Sequence, residues 1–231
     1  MATAGQHYRV VHTELVELAA ALSEDEAGKP VPALPGWTIR DTYAHLAGVC
    51  YDVVTGAEFD IHDPRWTAGH VAAREGMPLA EICEQWAPDA AQLEELLDKP
   101  GMRPAVISVF DVFHHSHDIR GALGRVEARD TPQAAFVAKV MGSFKGMEWA
   151  HEGRPPIRLT TPSGSRVGGA AAEDAEPDVI ASLETSDFEL ARIFIGRRSR
   201  AQMLAAGWQG DPEGIVDFLP VFGPPVTDLT E

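Results

Sequence analysis

From residue 8 to 22 apolar side chains recur at Val11, Leu15, Leu18 and Leu22 with Glu14 and Glu17 between them, the three-and-four spacing of an amphipathic helix. Residues 28–36 cannot continue that helix, because Pro30, Pro32 and Pro35 remove backbone donors and Gly28 and Gly36 admit turns. Trp37 stands at the entrance of a second helix, marked by Thr38 as the cap and Asp41 three residues on, which predicts helix to about Thr55. Residues 56–76, broken at Pro64 and Gly69, predict little order beyond a helical turn near His70 to Arg74. A third helix opens at Pro78, and Leu79, Ile82, Cys83, Trp86, Ala90, Leu93 and Leu97 mark its buried stripe, with Pro88 as an expected kink. A fourth runs over about 104–123 and stops at Gly124, and a fifth opens at Thr131 and Pro132 and ends near His151.

The pattern then changes period. Residues 157–161 alternate like a half-buried strand, residues 162–164 read as a turn, and 179–184 read as a second strand. Ser186 and Glu189 cap a helix that ends at Ile195 and Gly196, and a last helix covers about 199–206. The expected class is α+β: an up-down four-helix bundle with a small α+β C-terminal domain, divided as residues 1–152 and 153–231.

Charge narrows the partners. A formal net charge of -16 over 231 residues lacks the basic footprint that nucleic acid or an anionic membrane requires, so neither is expected as a partner. The first residues carry no basic segment followed by an apolar run, and no stretch is apolar for the 18 or so residues of a membrane span. A cytoplasmic location is therefore expected, with a small-molecule substrate and a monomer or homodimer. Cys50 and Cys83 have no spacing motif and read as reduced, buried, small apolar residues.

The candidate chemistry lies on the fourth helix. At 100° per residue Asp111, His115, Asp118 and Ala122 fall in one narrow sector that Val106, Phe110, Val112, Phe113, Ile119 and Leu123 avoid. A solvated helix face explains many such stripes, but it usually holds Lys, Glu and Arg rather than Asp, His and Asp. A carboxylate and an imidazole one turn apart suit a first-row metal ion, and His45 on the second helix is available as a third ligand. Taken by itself, His45 reads more readily as a satisfied core or surface histidine than as a ligand. His114 and His117 point away from the stripe, and His12, His62, His70 and His151 have no spacing partner. Trp37, Trp86, Trp149 and Trp208 read as core or interface anchors.

Residues 34–48, with Trp37, Thr38, Asp41, His45 and Leu46 at its fixed places, resemble the "W-T-V-x-D-x-x-x-H-L" signature of the mycothiol-dependent maleylpyruvate isomerase family, whose members are DinB-like helical bundles. Residues 67–76 and 84–86 are similar to its intermediate segment, 111–119 resemble its "E-x-x-x-H-x-x-D" helix, and Gly196 with Arg197 resembles its "G-R" step. The resemblance implies metal ligands at His45, Asp111 and His115, a supporting or catalytic carboxylate at Asp118, and a catalytic or cofactor-binding role for Arg197. It also implies a divalent ion, zinc above others, and mycothiol as the thiol cosubstrate. Two imidazoles and one carboxylate leave a position open, where a thiol would be held as thiolate. That thiolate serves cis–trans isomerisation or S-transfer on a small electrophile, and the residues do not choose between the two. One departure stands out: the family's glutamate is Asp111 here, one methylene shorter. It supports a rival expectation, a non-catalytic small-molecule or lipid-like ligand-binding protein on the same fold with a degraded metal site. Arg197 has its own simpler explanation, since basic residues near a helix C-terminus complement the macrodipole.

Overall fold

The computed structural model describes residues 2–101, 103–126, 129–169 and 178–230, and the chain divides into two compact units, Met1–Glu127 and Ala128–Thr230. In the first unit the helices are α1 (Ala4–Ala20), α2 (Glu24–Ala27), α3 (Ile39–Thr55), α4 (Pro64–Ala72), α5 (Leu79–Leu97) and α6 (Ile107–Ala122). The periodic apolar residues form the core as expected: Leu15, Ile39, Ile82, Leu93 and Val112 have no exposed surface. Helix α1 starts four residues earlier than its apolar period, because Thr3 and Gln6 close a capping box there. Thr38 and Asp41 close the expected box at α3. Gly124 has φ of +66°, the left-handed conformation anticipated beyond α6.

Four helices make the bundle, with α1 and α3 each packed against both α5 and α6. Their directions follow from cross-contacts. The Gly5 amide donates to Asp98 and the Trp86 indole to the Tyr8 hydroxyl, so α1 and α5 run opposite ways. The Tyr43 hydroxyl donates to the Leu15 carbonyl while Cys50 lies by Tyr8, so α1 and α3 are also opposed. Helices α3 and α5 therefore run the same way, and strict up-down alternation gives way to a crossover. The segment joining them carries α4, which occupies the stretch expected to hold only a turn; Asp63 caps it and Pro64 starts it. Helix α5 continues through Pro88.

The second unit holds α7 (Pro132–His151), β1 (Ile157–Thr161), β2 (Gly164–Gly168), β3 (Ala181–Glu184), α8 (Asp187–Ile195), α9 (Arg200–Leu204) and β4 (Gln209–Gly210). The strands lie in the order β2-β1-β3-β4, with β1 antiparallel to β2 and parallel to β3. Alternation made β1 legible, since Ile157, Leu159 and Thr161 face inward. Strand β2 lacks that alternation, being mostly exposed, and the two-residue β4 is too short to carry any. Composition placed the domain boundary after residue 152, where the helices stop, but α7 packs on α8 and β2, so the compact units separate near residue 128.

Candidate metal centre

Helix α6 is buried on all sides from Val112 to Ile119, which removes the solvated-face explanation of its polar stripe. A buried polar group requires partners. His115 Nδ1 lies 3.0 Å from Asp118 Oδ2 one turn on, and the Asp118 side chain has no exposed surface. Asp118 thus sits behind the imidazole as its hydrogen-bond acceptor. His114 and His117 turn elsewhere, each edge-on to Phe113.

On the other side of His115, Nε2 is 3.3 Å from Asp111 Oδ1. Helix α3 brings His45 to the same carboxylate, with Nε2 3.4 Å from Oδ1 and 3.3 Å from Oδ2. One ligand atom from each of the three residues lies within 4.8 Å of the others. The shorter aspartate thus spans the gap to both rings.

His45 has a second neighbour that spacing did not reveal. Its Nδ1 is 3.2 Å from His70 Nδ1 on α4, and His70 Nε2 is 2.9 Å from Asp52 Oδ2 on α3. The Trp66 indole N–H donates to that same oxygen at 2.6 Å. Residue spacing did not mark His70, although it lies in the segment 67–76 similar to the family's, because its partners are 18 and 25 residues away. Trp37, expected as an anchor, lies against both ligand rings, with centroids 5.0 Å from His45 and 6.4 Å from His115. Trp66 meets His45 edge-on at 6.1 Å.

The proton positions follow from these partners. Asp118 accepts from His115 Nδ1, so the neutral ring turns its Nε2 lone pair to Asp111. Asp52 accepts from His70 Nε2, which leaves His70 Nδ1 as an acceptor and makes His45 Nδ1 the donor. The Nε2 lone pair of His45 then also faces Asp111. With both rings neutral, two ring lone pairs would face one carboxylate, and Asp111 Oδ2 is buried without a hydrogen-bond partner. Such a cluster is stable only with positive charge at its centre. In the absence of an ion, protons supply part of it. Burial by itself would depress His115, but Asp111 and Asp118 outweigh it and push its pKa up to about 9. Burial dominates at His45 and lowers it, despite Asp111. Burial would raise Asp111, but the two imidazoles hold it well below the usual carboxylate range.

The two edges that meet at Asp111 suit a cation. Tetrahedral zinc with bonds of about 2.0 Å to nitrogen and oxygen has ligand-to-ligand edges of roughly 3.3 Å. The nitrogen–oxygen separations of 3.3–3.4 Å match that edge.

Comparison with known proteins places this arrangement. Residues 8–107 match the family model described as the mycothiol maleylpyruvate isomerase N-terminal domain. The helical unit is thus similar to that domain over 8–107. The match includes His45, His70 and Asp52 but ends before Asp111 and His115, so those two rest on their geometry. Two solved structures share the fold, the mycothiol-dependent maleylpyruvate isomerase and a histidine-to-alanine mutant of it. Each is 16% identical and aligns over 85% of this chain and 92% of its own, with TM-scores of 0.55 for the mutant and 0.52 for the other. No curated protein matches the chain. Among the described residues no helix is long and apolar enough to cross a membrane.

Arg197 lies in the second unit, half-buried just beyond α8, and its amide donates to the Arg192 carbonyl at 2.8 Å. Its neighbour Arg198 holds Glu189 through Nε and Nη2 at 2.7 and 2.8 Å.

Proposed function

We propose that this protein is a metal-dependent, mycothiol-using enzyme that acts on a small electrophilic substrate in the cytoplasm, by cis–trans isomerisation or S-transfer. The observation that carries this reading is the convergence of His45, Asp111 and His115 on one point, with nitrogen–oxygen separations of 3.3–3.4 Å. These three residues would hold the ion, and two imidazoles with one carboxylate favour zinc. A divalent ion with a free coordination position supplies a Lewis-acidic centre where a thiol is kept as thiolate.

The chain's residues supply the rest. Asp118 keeps the His115 ring turned toward the centre. Trp37 and Trp66 wall the ligand rings with apolar surface, which excludes water and strengthens electrostatic interactions inside. The thiol has to come from outside the chain, because burial pushes Cys50 up to about 12 and Cys83 up to about 11, which leaves both protonated at neutral pH.

Metal analysis of purified protein, followed by assays with mycothiol and a panel of cis-unsaturated acids and alkylating electrophiles, tests the proposal. One divalent ion per chain, lost in His45→Ala, together with thiol-dependent turnover that a chelator stops, is the expected result. A metal-free protein whose stability does not respond to zinc overturns it and favours the ligand-binding alternative.

A further inference from the structure

The metal reading leaves His70 and Asp52 without a role, yet α3 is built around them. His45, Gly48 and Asp52 follow one another at three and four residues, so they share one stripe of the helix. Gly48 is the notch in that stripe. A Cβ at Gly48 would fall 2.3 Å from His70 Cγ and 2.4 Å from its Cδ2, closer than real contacts allow. The His70 ring fills the notch and is 7% exposed. It bridges the two polar groups on either side, with His45 at one nitrogen and Asp52 at the other. Trp66, four residues before His70 on α4, pins the Asp52 oxygen that His70 uses.

We propose that Asp52 and His70 form a positioning relay that fixes the ring orientation and tautomer of His45, so that its Nε2 lone pair is presented to the metal centre. Asp52 accepts from His70 Nε2, and His70 Nδ1 accepts from His45 Nδ1. Each step leaves the next nitrogen a single role. The relay also increases the basicity of His45, since a ligand imidazole whose far N–H is strongly hydrogen-bonded donates more strongly to a cation. The inference rests on the metal reading of His45.

The test uses the full chain and Zn2+ alone, titrated in competition with a chromophoric chelator, with ring 15N NMR of His45 as the second readout. Asp52→Asn and His70→Phe are expected to weaken Zn2+ binding by about 10- to 100-fold, the usual effect of losing such a partner. His70→Gln, which keeps an acceptor and a donor on one flat group, is expected to recover most of that loss. Gly48→Ala, which leaves every polar group in place but fills the notch, is expected to act like His70→Phe. It also covers the case in which one of the others fails to fold. The His45 ring resonances are expected to shift in Asp52→Asn, although that substitution touches neither ring nitrogen of His45. Folded variants with wild-type Zn2+ affinity and unmoved His45 resonances overturn the relay. A wild-type chain that binds no Zn2+ but whose His45 resonances respond to Asp52→Asn sinks the metal reading and leaves the hydrogen-bonded chain standing.

Discussion

The two sides of the candidate metal centre solve one problem in different ways. On the α6 side, His115 finds its carboxylate three residues along its own helix, and its two ring nitrogens have partners about one turn away on either side. On the α3 side, the far nitrogen of His45, Nδ1, reaches a carboxylate only through His70, which arrives on a separate helix. A local pair is held by backbone geometry that is present whenever the helix forms. A relayed pair is held by packing, and every element between its ends has to be in place. The α6 half should therefore tolerate distant substitutions, while the α3 half should respond to any change that moves α4.

The strongest way to sharpen this contrast is to delete each ligand ring. His115→Ala and His45→Ala should both reduce Zn2+ affinity by more than the ~100-fold typical of an outer partner. Only His45→Ala should also release the His70 ring, seen as loss of its NMR line position.

The next effect concerns protons in the ion-free protein. The raised pKa of His115 means that its contribution to stability is complete below the ordinary value near 6.5 and is lost as pH rises toward about 9. Urea unfolding of the ion-free chain should lose on the order of 2–3 kcal/mol across that window. Saturating Zn2+ should remove the slope, because the ion replaces the proton. A flat profile without zinc would mean that Asp111 and Asp118 do not hold a charged ring between them.

Asp111→Asn should separate charge from shape. Its amide can donate to one Nε2 and accept from a protonated other, so the ion-free fold should survive while Zn2+ binding is lost. The His115 pKa should then fall toward its ordinary value, as read by ring NMR titration. Unchanged Zn2+ affinity would show that the carboxylate is not a ligand.

The smallest effect is expected from the helix start. Thr38→Ala removes the cap that orders the first turn of α3, and should cost about 1 kcal/mol in thermal or urea unfolding. Because His45 lies beyond that turn, Zn2+ affinity should change by less than about threefold, well under the 10-fold floor for a lost outer partner.

The same division separates what was legible in the residues from what was not. The bundle helices announced themselves by apolar period and by the Thr38–Asp41 box, both of which act over less than two turns. The Asp111–His115–Asp118 stripe was visible for the same reason. Strands β2 and β4 were invisible because they alternate too little, and α7 was grouped by its helical period with the bundle when its packing partners are α8 and β2. Helix α4 was hidden by a short, weakly periodic segment between Pro64 and Gly69.

Spacing along one rigid rod was enough to set the helices and to align Asp111, His115 and Asp118 on one face of α6. Only the tertiary structure decided that α3 and α5 run parallel, that the crossover lays His70 into the Gly48 notch, and that two lone pairs meet at one carboxylate. Those outcomes depend on which helix faces pack together, and the energy that selects them comes from burial across the whole unit rather than from any neighbouring residues in the chain.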